Sequence, residues 1–277
     1  MNPQPLLDET LRQEPGELDP AAVTPRWKRV LDIVLCLAAM PLVLPLMILI
    51  AVIIRVVSKG PILFKQERIG VGGRPFMCLK FRTMHVGNNV ATHKDHLQDL
   101  MTSNRPMTKM DDQGDPRIIR FGGPLRSSGL DELPQIFNVL HGDMSLVGPR
   151  PCLGYEFERY QPWQKERFNT LPGLTGLWQV SGKNRLSFEQ MIRLDVHYAR
   201  NKTLWMDARI IFMTIPALIV QMQDVRRSRK AAARTAEKAP APTPASAPHT
   251  HTADSQPAFT ALSRRIGEAK LRSNTTT

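Results

Sequence analysis

The chain sets Asp131 beside Glu132 within Leu125-Arg-Ser-Ser-Gly-Leu-Asp-Glu-Leu-Pro-Gln-Ile-Phe-Asn-Val-Leu140. Leu133, Ile136, Phe137 and Leu140 recur at i, i+3, i+4 and i+7, which predicts a helix with one buried face. Asp131 then falls at or next to the N-cap, where a short carboxylate accepts backbone N–H bonds, and Glu132 suits the helix dipole. Capping alone accounts for many such pairs. The neighbouring cations add a chemical reading. Arg126 stands one or two turns upstream, and Gly142-Asp-Met-Ser-Leu-Val-Gly-Pro-Arg-Pro151 makes a tight, proline-fixed loop that presents Arg150. Helix starts welcome phosphate oxygens, guanidinium groups grip them in pairs, and carboxylates with phosphate oxygens suit a hard divalent cation. Two arginines and two carboxylates near one helix start therefore predict a diphosphate and metal site. Asp143 is expected to fix its loop rather than to ligate.

The elements that must carry this site begin with residues 30–57, an apolar run interrupted only by Asp32 and Arg55. A helix of roughly 20 such residues crosses a hydrocarbon core about 30 Å thick. The run is too long, and lies too far inside the chain, for a secretory signal. Pro41 and Pro45 sit in its middle, where each removes a backbone donor and crowds the preceding turn. Both flanks are basic: Arg26, Lys28 and Arg29 precede it, and Arg55, Lys59, Lys65 and Arg68 follow. Positive charge marks the cytoplasmic side, so both ends are assigned to one face. The expected element is a re-entrant helix over residues 25–58, with an ordinary kinked span as the alternative.

Residues 59–224 mix short strands and helices, which predicts a small α+β domain, mostly helical. Pro61-Ile-Leu-Phe-Lys65 and Phe76-Met-Cys-Leu-Lys-Phe-Arg82 read as extended pieces around the turn Gly70-Val-Gly-Gly73. Residues 88–115 are polar and read as a loop or loosely ordered helix. Residues 208–223 are apolar but too short to span, and Arg226, Arg227, Arg229 and Lys230 follow. That pattern fits an amphipathic helix lying in the membrane interface, its cations against anionic lipid, or a buried core helix. Residues 1–24 are polar and Pro-rich with no apolar period, and residues 225–277 are basic and Ala/Pro/Thr-rich. Both are expected to be disordered tails. Within the second, residues 259–271 have a weak amphipathic pattern but read more simply as solvated.

Composition narrows the partners. The net charge is +12, and residues 225–277 hold ten basic and three acidic residues, so the excess is largely a property of the tail. Aromatic content is 6% and no nucleic-acid reading motif is present, so no nucleic-acid partner is expected. Cys36, Cys78 and Cys152 are too few and scattered to staple a fold or hold zinc, and suit a reducing compartment. The pairs His93/His96 and His249/His251 lack ligand partners and read as solvated.

Five stretches stand in one order: Lys28-Arg-Val-Leu-Asp32, Lys80-Phe-Arg-Thr-Met84, Ser128-Gly-Leu-Asp-Glu-Leu-Pro-Gln135, Gly142 to Pro151 as above, and Pro172-Gly-Leu-Thr-Gly-Leu-Trp-Gln179. Together, from about Trp27 to Val220, they resemble the bacterial sugar transferase family. These are monotopic polyprenyl-phosphate phosphoglycosyl transferases that begin exopolysaccharide, O-antigen or related glycan assembly. The resemblance implies that Asp131 is a nucleophile attacking the sugar-linked phosphorus of a UDP-sugar and releasing UMP. Polyprenyl phosphate, such as undecaprenyl phosphate, then takes the phosphosugar. It further implies that Glu132 holds Mg²⁺, that Arg126 and Arg150 contact phosphate, and that Lys80 and Arg82 form a basic strand at the substrate. Asp195 matches an acidic position that supports the metal or the fold. Many members break the membrane helix at a Ser-Pro pair, for which Leu44-Pro45 stands here, with an additional Pro41. The implied location is the bacterial cytoplasmic (inner) membrane, catalytic domain on its cytoplasmic face, feeding downstream glycosyltransferases. Glucose or galactose is the expected sugar. A membrane-tethered basic scaffold without catalysis is the rival reading, and it leaves the grouping of Asp131, Arg126 and Arg150 unexplained.

Overall fold

The computed structural model describes residues 1–85, 117–182 and 185–238. The readings made for residues 88–115, His93, His96, His249, His251 and residues 259–271 lie outside the described residues. The described chain is α+β and mostly helical, and residues up to Glu237 pack as one unit.

Two small sheets hold the helices in place. Strands β1 (Leu63–Ile69) and β2 (Pro75–Phe81) pair antiparallel, Leu63 opposite Phe81 and Ile69 opposite Pro75, around the glycine-rich turn. Strands β3 (Ser145–Val147) and β4 (Gly173–Thr175) pair in parallel. The helices are α1 (Gln4–Arg12), α2 (Arg26–Val57), α3 (Gly122–Ser128), α4 (Gln135–His141), α5 (Gly154–Phe157), α6 (Pro162–Lys165), α7 (Leu177–Val180), α8 (Phe188–Asn201) and α9 (Leu204–Lys238). Helix α8 is the centre of one core. Ser187 and Gln190 form its capping box, and Met191, Ile192, Leu194, Val196 and Tyr198 pack among Tyr160, Phe168, Trp178 and Ile210. A second core joins α2 to β2 and α4 through Cys36, Met47, Ile50, Ile54, Cys78, Phe81, Ile136, Val139 and Met144.

Helix α2 has one buried stripe, Lys28, Asp32, Cys36, Met47, Ile50 and Ile54, at helical spacing. Its other faces leave Val34, Leu37, Leu42, Leu44, Ile48, Leu49, Val52 and Val56 exposed. It is long and apolar enough to cross a membrane, and only 17% of its most apolar window is buried. Neither Pro41 nor Pro45 ends it; each removes one donor, and the adjoining turns carry the helix across. At 1.5 Å per residue its 32 residues would measure about 48 Å if straight. Yet both ends hold the same body. At the start, Lys28 Nζ pairs with Asp207 Oδ2 at 2.6 Å and donates to Tyr198 Oη at 2.8 Å, with Lys28 and Asp207 side chains 0% exposed. Arg29 donates to the Val139 and Leu140 carbonyls that end α4. Asp32, the polar interruption of the apolar run, accepts from Ser145 Oγ and Leu146 N, both at 3.0 Å, and so ties α2 to β3. At the far end, Arg82 grips Ser58, Lys59 and Pro61. Two of the flanking cations, Lys28 and Arg68, therefore lie in the interior, while Arg26, Arg55, Lys59 and Lys65 face outward.

Three expectations need correction. Residues 1–24 are not an unstructured tail. Leu7 of α1 is buried in the core against α8, and residues 13–20 lie as a strap: Gly16 N donates to Glu166 Oε2 at 3.0 Å and Asp19 N to Asn169 Oδ1 at 2.7 Å. Arg200 reaches Gln13 Oε1 at 2.7 Å and the Glu14 carbonyl at 2.8 Å. The tertiary surface supplies the order that a local apolar period does not. Nor does the helical part of the chain end at residue 224, since α9 continues to Lys238. It is two-faced, with Ile210 buried and Trp205, Phe212, Ile215, Ile219 and Val220 exposed. Finally, Phe137 is 41% exposed, and Val139 takes its place on the buried face of α4.

Asp207→Ala would strand the Lys28 ammonium in the interior. The expected loss is about 3–5 kcal/mol of folding stability, as for other broken buried pairs. Denaturant unfolding in detergent measures it, and a loss below about 1 kcal/mol would show that the pair does not anchor α2.

Candidate active site

The site begins where α3 stops. Gly129, at φ 75°, takes the left-handed conformation that ends α3 and starts a 3₁₀ turn, Leu130–Glu132, running through Pro134 into α4. Asp131 and Glu132 thus lie on the first turn of a helical stretch, both half-buried. Asn138 clamps that stretch to β2: its Oδ1 accepts Leu79 N at 3.0 Å and its Nδ2 donates to the Met77 carbonyl at 2.8 Å. The clamp fixes the spacing between Lys80 on β2 and Glu132 on the turn, whose Nζ and Oε1 meet at 2.7 Å. Beyond Lys80, Thr83 Oγ1 accepts from Arg126 Nη1 at 3.4 Å, so Arg126 is tied to the same strand end.

Arg150 comes from the turn after β3 and its side chain is exposed. Cys78, sealed beneath β2, records how the charges converge. Burial pushes its thiol up, Lys80, Arg68 and Arg150 pull it down, and Glu132 pushes it up. Four charged groups from four segments are therefore within electrostatic reach of one sulfur. Arg68 is itself buried, and both burial and the like charge of Arg150 lower its pKa. Two guanidinium groups that raise each other's electrostatic cost leave local positive charge that a phosphate would relieve.

The structure thus gathers Asp131, Glu132, Lys80 and Arg126 at one strand end, while Arg150 projects from the turn after β3. Two predicted residues have other work. Arg82 is 4% exposed and gives its donors to Pro61 O, Ser58 Oγ, Lys59 O and Ser58 O, so it closes the loop after α2 instead of facing substrate. Asp195 lies in the core with its Oδ2 at 2.5 Å from Arg167 Nη2, which removes it from any metal site at the surface. Burial pushes Asp195 up to about 7, against the pull of Arg167, the Arg150 backbone N–H and the Arg150 guanidinium. Pro41 and Pro45 stay in the exposed middle of α2, away from the charged groups. Asp143 bonds His141 and Asn138 and steadies the turn after α4.

Sequence reasoning missed Arg68 and Arg167. A signal was present: Pro149 and Pro151 lend no N–H to their own turn, so its carbonyls need donors from elsewhere, and arginine has the reach.

Among the described residues no group of three or more His, Cys, Asp or Glu side chains gathers. The donor set nevertheless fits Mg²⁺, which takes one or two carboxylates and completes its shell with substrate phosphates and water. Glu132, now on Lys80, and Asp131 are the two oxygens-bearing groups that would hold it.

The described residues thus combine an apolar helix anchored at both ends to one body with a carboxylate turn that carries cations from a neighbouring strand and helix. The family model of the bacterial sugar transferases matches residues 23–221, and the chain belongs to that family. It is 40% identical over 198 residues to the UDP-galactose-lipid carrier transferase of Erwinia amylovora, covering 69% of this chain but 40% of that protein. It is 39% identical over 199 residues to the exopolysaccharide production protein ExoY of Sinorhizobium fredii, covering 69% and 84%. It is 38% identical over 219 residues to the UDP-glucose:undecaprenyl-phosphate glucose-1-phosphate transferase of Caulobacter vibrioides, covering 76% of each.

The reassignment of Arg82 separates it from Lys80, two residues before it in the chain. Arg82→Met is expected to cost about 2–4 kcal/mol of stability, since its buried charged hydrogen bonds are lost. Lys80→Met is expected to cost less than about 1 kcal/mol, because its pair with Glu132 is partly solvated. Thermal unfolding of the two variants in one detergent compares them, and equal losses would contradict the assignment.

Proposed function

We propose that the chain transfers a hexose-1-phosphate from a UDP-sugar to undecaprenyl or a related polyprenyl phosphate, the first membrane step of an exopolysaccharide or similar glycan. The observation that carries this reading is the Asp131-Glu132 turn facing Lys80, with arginines alongside. In the first step an Asp131 oxygen bonds to the sugar-linked phosphorus, and the bond from that phosphorus to the bridging oxygen breaks. UMP leaves with that oxygen, and the phosphosugar remains as an acyl phosphate on the aspartate. In the second step a phosphate oxygen of the polyprenyl phosphate bonds to the same phosphorus and the bond to Asp131 breaks. The products are the polyprenyl diphosphate sugar and the free carboxylate.

Arg126 and Arg150 hold phosphate oxygens as charge spreads over them, and Lys80 gives up Glu132 to do the same. Asp131 and Glu132 are the residues that would hold Mg²⁺, which would supply positive charge to offset that of the phosphates. The names of the Erwinia and Caulobacter relatives support galactose or glucose as the sugar. The product then passes to downstream glycosyltransferases.

The topology proposed with this reaction is re-entrant: α2 enters the cytoplasmic (inner) membrane of a bacterium from the cytoplasmic side, bends at Pro41 and Pro45, and returns. Support comes from the anchoring of Lys28, Arg29 and Asp32 at one end and Ser58 at the other on one body. The exposed apolar face of α9 lies along the same membrane surface. The catalytic residues then meet a lipid headgroup at the bilayer edge.

Purified full-length protein in nanodiscs, given UDP-glucose or UDP-galactose, undecaprenyl phosphate and Mg²⁺, is expected to release UMP, and chelation to stop it. Asp131→Asn is expected to lower turnover about a thousandfold or more; full turnover by that variant would overturn the nucleophile assignment. The native cysteines are all buried, so single cysteines placed at positions 24 and 59 can report topology cleanly. Labelling of both from the cytoplasmic side is expected, and opposite accessibility would leave a simple span.

A further inference from the structure

The turn that presents Arg150 is held more firmly than a surface turn needs to be. Four successive carbonyls each reach a donor outside the turn. Pro149 O accepts Gly173 N at 2.9 Å, Arg150 O accepts Arg167 Nη2 at 2.7 Å, Pro151 O accepts Arg68 Nη1 at 3.2 Å, and Cys152 O accepts Ile69 N at 2.9 Å. Gly148 is wedged below, where a Cβ would stand 2.2 Å from the Leu171 carbonyl. The backbone is locked and only the Arg150 side chain projects.

Among these donors Arg167 is the most expensive to place. It is 1% exposed, and the nitrogen that meets the Arg150 carbonyl also meets Asp195 Oδ2 at 2.5 Å. Its Nη1 donates to Tyr160 Oη at 3.1 Å. A buried ion pair recovers its desolvation cost only with good geometry, and apolar residues of the same volume commonly serve stability as well or better. The pair therefore calls for a role beyond filling space, and the one polar group of the site that it touches is the backbone of Arg150.

We infer that Arg167, anchored by Asp195, is a positioning residue for Arg150, setting the direction in which that guanidinium meets the diphosphate of the sugar nucleotide. Arg167 does not touch substrate, and Asp195 acts through Arg167 and the Arg150 backbone N–H rather than through a metal. Arg68 fixes the next carbonyl from the β1 side. The inference rests on the phosphate-holding part of the proposed function, namely that Arg150 grips the diphosphate.

The test is a double-mutant cycle on UDP-hexose affinity, measured by calorimetry on the full chain in detergent with Mg²⁺. Arg150→Ala is expected to weaken binding about tenfold or more, the scale of a lost charge-assisted contact. Replacing the buried pair together, Arg167→Met with Asp195→Asn, leaves no orphan charge and is expected to weaken binding nearly as much. Combining both changes is expected to weaken it no further than Arg150→Ala alone, within about twofold. Arg167→Lys, which keeps a donor for the Arg150 carbonyl, is expected to recover part of the affinity. If the pair replacement does not fold, Asp195→Asn alone takes its place in the cycle. Losses that multiply, or wild-type affinity in the pair replacement, would overturn the inference while leaving the proposed reaction standing. Absence of UDP-hexose binding by the wild-type chain would overturn both.

Discussion

A single buried contact sets the frame for everything else: the ammonium of Lys28 between Asp207 and Tyr198. It joins the first turns of the two apolar helices, α2 and α9, to the central helix of the body. Burying a lysine is tolerable only with a charged partner and further hydrogen bonds, so the geometry of the three residues is tightly constrained. Tyr198 Oη also donates to the Val147 carbonyl at 3.0 Å, at the end of β3 and one residue before the turn that carries Arg150. The exposed apolar faces of α2 and α9 and the turn that carries Arg150 are thereby referred to one point. An enzyme that must bring a water-soluble nucleotide to a lipid headgroup needs that common reference more than it needs a large core.

Around this frame the charges fall into two classes. Lys28, Asp207, Arg82, Arg167 and Asp195 are buried and spend their polar atoms on backbone groups or on each other. Lys80, Glu132 and Arg150 keep solvent access, and Lys80 and Glu132 meet at the surface. The first class fixes distances and the second is available to a ligand. Lys80 lies in β2 and Arg82 one residue past its end; their difference in burial comes from the loop after α2, which folds over Arg82.

Much of this was legible in the sequence. The apolar run between basic flanks, the glycine turn between two strands and the Asp131-Glu132 pair at a helix start all rest on local patterns, which one chain displays directly. The errors share a cause. Arg82 and Asp195 are charged residues in motifs rich in charge, and residue type does not tell which of two arginines a loop will cover. Leu7 and Leu18 belong to no extended apolar period, so their docking on the body depends on a partner surface far along the chain. Phe137 and Val139 differ by the small rotation that the 3₁₀ turn introduces before α4, which shifts the helical register away from an ideal 3.6 repeat. Lys28 looks like a flank charge in the sequence because basic residues beside an apolar run usually are.

The central claim is that Asp131 takes the phosphosugar onto itself before the lipid accepts it. Mass spectrometry of the purified chain, incubated with UDP-hexose and Mg²⁺ and no polyprenyl phosphate, tests it most directly. The account predicts one hexose phosphate on the peptide containing Asp131, removed when polyprenyl phosphate is added. Contradiction would be an unmodified peptide together with UMP release that begins only when lipid is present, the signature of direct transfer between the two substrates.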